Sequence, residues 1–222
     1  MMRMGRRPRA IAAGMFVAAL LGLAGERAPL RAAELLDRVI AVVSGTVITL
    51  SDARAAIGFG LVDASDARDP VATAMQWLVD RQLVLDEVNR YESSDSASVQ
   101  VDAVFAELRR RLETGTTFDA ALARFGLDQE GARRFVRDTV RVQEYLKRRF
   151  ESILPATDDE LSEHYAAQPG RFVRDGRQLS FDAARDLVQA DLQDERRVVA
   201  IDAWLARLRR RAEVNELYLP IR

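Results

Sequence analysis

The chain has no cysteine and only one histidine in 222 residues. The first absence removes disulfides, thiol nucleophiles and thiolate metal sites together. The second leaves His164 without a histidine partner, so a histidine-rich metal site is excluded and no metal is expected. No glycine-rich phosphate-cradling loop and no nucleophile elbow occurs. Asp158, Asp159 and Glu160 sit where a first helical turn is expected. There the exposed N–H groups and the helix dipole account for acids without invoking catalysis. His164 reads as a solvated surface residue on the same polar helix. Catalysis needs a nucleophile or base with an orienting partner. No such pair is visible, so neither a catalytic residue nor a cofactor is expected.

Also missing is an apolar run long enough for a comfortable membrane span. Residues 10–24 are uncharged, but they fall short of the about 20 apolar residues a span requires. Arg3, Arg6, Arg7 and Arg9 precede this run, and Gly22-Leu23-Ala24 offers a small-x-small cleavage motif. The pattern is that of a secretory signal peptide within residues 1–33, cut between 24 and 33. An uncleaved anchor is the alternative. Pro8-Arg9 after Arg6-Arg7 argues against a twin-arginine signal. The expected location is the periplasm, without stable membrane insertion.

Basic charge is not in excess either. The whole chain carries a formal charge of −1, and loss of residues 1–24, with four arginines and no acid, takes this to −5. An acidic chain does not attract polyanions, so nucleic acid is not an expected partner. Arg109, Arg110 and Arg111, like Arg209, Arg210 and Arg211, read as solvated helix ends, where cations suit the dipole.

What remains is about 190–200 residues, enough for one good core or two small lobes. Residues 39–43 and 46–50 are rich in β-branched side chains around Ser44-Gly45, which predicts a β-hairpin. Ser51 is a candidate cap for a short helix ending near Gly58 or Gly60. Asp69-Pro70 opens the next helix. There Met75, Leu78, Val79 and Leu83 form one apolar face, and Trp77, Val84 and Val88 a second, roughly opposite one. A helix apolar on two sides is central to its fold or presents one side to a partner.

After a polar stretch around residues 92–96, Val101, Val104, Phe105, Leu108 and Leu112 predict a one-sided helix stopped by Gly115. Thr117 caps a short helix ended by Gly126, and Asp128 starts a long one whose face includes Phe135, Thr139, Val142, Leu146, Phe150 and Ile153, with Pro155 at its end. Thr157 with Glu160 makes a capping box. Residues 169–179 read as a loop, and Ser180 caps a final long helix. Its stripes, Phe181–Ala184–Val188–Leu192 and Val198–Ile201–Leu205–Leu208, are out of phase by a step of six, so its halves should pack on different partners. Residues 214–221 predict a closing strand. The expected fold is mainly α, with a strand pair near the start of the mature part and a strand at its end.

The stretch DRVIAVVSGTVITLSD at residues 37–52 resembles the opening strand pair of the SurA-type periplasmic chaperones. So do, in order, LVDRQL at 78–83, Thr117-Phe118 and Phe125-Gly126, the long helix to Ile153-Leu154-Pro155, Asp159-Glu160-Leu161 with His164-Tyr165 and Phe172, and Trp204 through Val214. The resemblance is to the helical chaperone module and spans residues 34–222. Two departures stand out: Ser44 where the family commonly has Asn, and a short stretch, 169–179, where a parvulin prolyl isomerase domain would be inserted. The resemblance implies a multi-helix module with a small antiparallel sheet formed by the N-terminal hairpin and the C-terminal strand. It also implies a periplasmic holdase for unfolded or outer-membrane-bound polypeptides, without isomerase activity. Trp77, Val84 and Val88 are the candidate client-binding residues. The alternatives are a divergent prolyl isomerase, and a structural or assembly protein with a fixed partner or a second copy of itself.

Overall fold

The computed structural model describes residues 37–91, 98–151 and 156–219. Residues 1–33, where a signal peptide is expected, the polar stretch 92–96, Ile153, Pro155 and residues 220–221 of the expected closing strand lie outside the described residues.

The sheet brings residues 39–49 together with residues 214–216. Strands β1 (Val39–Val43) and β2 (Thr46–Thr49) form the expected hairpin. Ser44 and Gly45 both take positive φ, 48° and 86°, the condition for the two-residue turn whose twist matches a hairpin. At the far end a bulge sets both Val39 and Ala41 in register across from adjacent β2 residues. Consecutive residues Ile40 and Ala41 are then both buried. On its other edge β1 pairs antiparallel with β5 (Val214–Glu216), giving the order β2-β1-β5. Ser44 N–H donates to Glu213 O at 2.8 Å and Leu217 N–H to Ile40 O at 2.8 Å, bracketing that pairing.

Helix α1 (Leu50–Gly58) is capped by Thr49 rather than Ser51. Thr49 lies three residues before Asp52, whose carboxylate returns the bond to the Thr49 N–H at 2.8 Å. A capping box needs that spacing, and Ser51 has no acid at the same distance. A Cβ on Gly58 would lie 2.3 Å from the Phe125 ring, so glycine lets this ring close over the helix end. Helix α2 (Pro70–Tyr91) is the centre of the fold. It packs on the sheet, on α1, on α5 (Gln129–Arg149) and on α7 (Phe181–Arg211). Helices α3 (Ser98–Leu112) and α4 (Phe118–Ala123) pack against α5. Thr117 and Asp128 cap α4 and α5 as expected.

Two arginines from the runs read as solvated have structural partners instead. Arg111 donates to the Phe59 carbonyl at the end of α1, where cations complement the dipole. Arg209 bonds Asp80 at 2.6 Å and Gln76 at 2.8 Å, fastening the last turn of α7 to α2. A third arginine, Arg81, lies over the Phe135 ring at 4.7 Å and donates to Thr139 Oγ1 and to Phe135 O, both at 3.0 Å. Burial lowers its pKa, opposed by the nearby charges of Asp138 and Asp52.

A second, smaller core lies apart in sequence. Helix α6 (Asp158–Ala167) carries the expected Thr157–Glu160 capping box. Residues 169–179 are more ordered than a plain loop: a 3-10 turn (Pro169–Arg171) leads to a ribbon of β3 (Val173–Arg174) and β4 (Arg177–Gln178). Leu161, Phe172, Ala184 and Val188 form this core. The fold is thus mainly helical, with a small antiparallel sheet made by an N-terminal hairpin and a C-terminal strand.

Candidate binding surfaces

The residues singled out on the second face of α2 do not form a surface together. Val84 is 1% exposed and Val88 0%. Both belong to the large core, so as client-binding candidates they are corrected: neither offers surface to a partner. The reason is position. With neighbours on several sides, α2 buries both of its apolar faces. Trp77 is half-buried and rests against the same core.

An apolar track appears instead on α7, where the sequence has its phase break. The first stripe packs through Ala184 and Val188 into the small core, the second through Trp204 and Leu208 into the large one. Between them, residues 189–203 include none that is buried. The first stripe nevertheless continues at helical spacing beyond the end of its cover, through Leu192 to Val199, Ala200 and Ala203. With His164, Glu195 and Arg196 these side chains line an open groove of about 510 Å³. Val199 is 62% exposed within it.

His164, expected on the surface, is buried at one wall of this groove. Its Nε2 lies 2.7 Å from Asp191 Oδ2, and Nδ1 3.6 Å from Glu195 Oε2. Arg171 holds the other Asp191 oxygen at 3.0 Å. A histidine hydrogen-bonded to a carboxylate is two members of a hydrolytic triad. Here both ring nitrogens face carboxylates, and no hydroxyl bonds the ring among the described residues. The arrangement ties α6 to α7. Arg196 completes the wall by bonding Glu160 at 2.5 Å. The Thr157 backbone N–H, followed by Arg196, holds the Glu160 carboxyl below its ordinary pKa.

A narrower cleft of about 160 Å³ opens between the end of α1, α3 and α5, floored by Phe59, Leu61, Val104, Leu108, Val136 and Val140. The α7 groove is the wider and shallower of the two. Among the described residues no group of three His, Asp or Glu is placed to hold a metal ion. No helix among them is long and apolar enough to cross a membrane.

Sequence reading missed the groove residues although it saw their cause. A stripe that changes phase must leave part of one face uncovered where the two cores part, and the step from Leu192 to Val198 marked the place. The burial of His164 had no such signal. No protein-family model matches the chain, and no curated protein matches it.

Proposed function

We propose that this chain is a binding protein for unfolded polypeptides, a periplasmic holdase without prolyl isomerase activity. The observation that carries the proposal is the apolar track between two cores, with Leu192 and Ala200 half-buried and Val199 and Ala203 exposed. Its floor is small or aliphatic, so the main chain of an extended segment can approach closely and sequence matters little. At its rim Arg196 is paired with Glu160, and Asp191 with His164 and Arg171, while Glu195 stays half exposed with His164 Nδ1 at 3.6 Å. Binding a neutral segment therefore leaves the Arg196 and Asp191 pairings in place. Export through the N-terminal basic and apolar segments, and the resemblance to the SurA-type module, support the periplasm as the compartment and outer-membrane polypeptides as the clients.

The test is suppression of aggregation of an unfolded outer-membrane protein by the chain starting near Glu34. Val199→Glu and Ala203→Glu change exposed positions, so folding should survive while suppression weakens by about fivefold, roughly 1 kcal/mol. Isomerisation of a short prolyl peptide should proceed at the rate seen in buffer. A folded preparation at molar excess that leaves aggregation unchanged overturns the proposal. If the same preparation sediments as a dimer with Val199 protected, a fixed self-partner takes its place.

A further inference from the structure

Arg149 ends helix α5, and its guanidinium lies over three aromatic rings at once. Its Cζ is 5.0 Å from the centre of the Trp204 ring, 5.9 Å from Phe150 and 6.0 Å from Tyr145. The rings form a cluster: Trp204 and Tyr145 are 6.0 Å apart, and Phe150 meets Trp204 at 5.8 Å with planes at 66°. Tyr145 stands one turn before Arg149, Phe150 directly after it, and α7 brings in Trp204. Trp204 is 4% exposed beneath this cover, while Arg149 itself is exposed.

Among the described residues, five other arginines lie over a single ring each, Arg38 over Tyr218 and Arg81 over Phe135 among them. Arg109, Arg133 and Arg185 each lie over one ring, and each also pairs with a carboxylate, Glu113, Asp102 and Asp158 respectively. Arg149 makes no ion pair among the described residues, and the ring faces are its partners there. A cation surrounded by aromatic faces, with no anion to neutralise it, is the arrangement proteins use to recognise cationic ligands. Here the cation over the rings comes from the chain itself.

We propose that Tyr145, Phe150 and Trp204 form a binding site for the cationic side chain of a bound polypeptide, arginine above lysine, and that Arg149 occupies it until the ligand displaces it. Trp204 follows Ala200 by one helical turn and Ala203 by one residue, so the site adjoins the end of the groove. Its role in client choice rests on the holdase reading; the site itself does not. It would favour segments in which a cation flanks the apolar stretch on the α7 track. The planar occupant already in place favours a guanidinium, which stacks on rings where an ammonium cannot. An internal competitor of this kind acts at an effective concentration on the order of millimolar. It weakens binding until it is removed, so the decisive effect is a gain.

The probe is N-acetyl-arginine amide, with the lysine and norleucine amides as comparison arms. Fluorescence of Trp204 reports binding in a Trp77→Phe background, since the chain has two tryptophans. Arg149→Gln, and Arg149→Met as a second variant that keeps the stem, should each tighten the arginine probe about tenfold and leave norleucine unchanged. Lysine should gain less than arginine. Equal affinity in the parent and both variants overturns the site, and so does a gain of the same size for norleucine, which would signal exposed apolar surface alone. A misfolded variant does not imitate a gain restricted to cations. If the gain appears while no unfolded client binds, the site stands and the holdase reading falls.

Discussion

The large core draws on the sheet and six helices, while the small one has Leu161, Phe172, Ala184 and Val188 with a few half-buried neighbours. The large core is held by non-directional burial, and its polar ties, such as Arg81 to Thr139 and Arg209 to Asp80, fasten helices already packed. In the small core the proportions reverse. Tyr165 donates to Leu179 O at 2.5 Å, His164 meets Asp191 at 2.7 Å and Arg196 meets Glu160 at 2.5 Å, around a very small apolar centre. Four buried side chains, two of them aliphatic residues of ordinary size, contribute on the order of 6–10 kcal/mol gross before the chain-ordering cost. The small lobe therefore depends on α7 being fixed at its other end. Separate cores can be separately perturbed, and substitutions can test that separation.

The largest effect should come from Phe59→Ala. Phe59 is fully buried and meets Phe125 and Phe135 edge to face. Its loss should cost about 3–5 kcal/mol and lower the urea midpoint of the whole domain. Leu161→Ala should cost about 2–3 kcal/mol, but locally. Hydrogen exchange should show faster opening over residues 158–188, with little change in the α2 amides. If Leu161→Ala moves the global midpoint as far as Phe59→Ala does, the two cores are one cooperative unit.

A third effect is acid-specific. The folded pKa of Glu160 is lowered. Its stabilisation is thus present above the unfolded-state value and is lost as pH falls through the lower folded value. Protection of α6 should hold through mild acid and fall below pH 4.5, the ordinary glutamate value. Glu160→Gln should remove that acid limb, and an unchanged limb would assign it to another carboxylate. The smallest effect belongs to the large core's edge. Ser44 occupies left-handed backbone at φ 48°, and asparagine tolerates that region better. Ser44→Asn should raise stability by ~0.5 kcal/mol in urea unfolding without touching the small lobe.

Much of this fold could be read from local signals. The hairpin, the caps at Thr117, Asp128, Thr157 and Ser180, and the split of α7 all depend on residues within a few positions of one another. Pairing of residues 39–50 with a strand near 214 is expected from β-branched residues at both together with the resemblance to the SurA-type module, and β1 does pair with β5. Reading went astray where an outcome depended on distant chain. Val84 and Val88 looked like a second face because the sequence does not say how many neighbours α2 has. His164 looked solvated because α6 is polar, and its cover comes from Asp191 and Phe172. Arg209 looked like a solvated helix end because Asp80 lies 129 residues away. The site residues were the least legible, since an uncovered track is defined by what fails to pack on it.

The position of β5 beside β1 has a consequence for the order of events in synthesis. Val43 emerges from the ribosome about 170 residues before Val214, its partner. Until then one edge of β1 stays open, and α2, already made, waits for the last turn of α7 to reach Asp80. Helices α1 to α5 can collapse together early, but the closing contact is among the most non-local in the chain and is expected to form late.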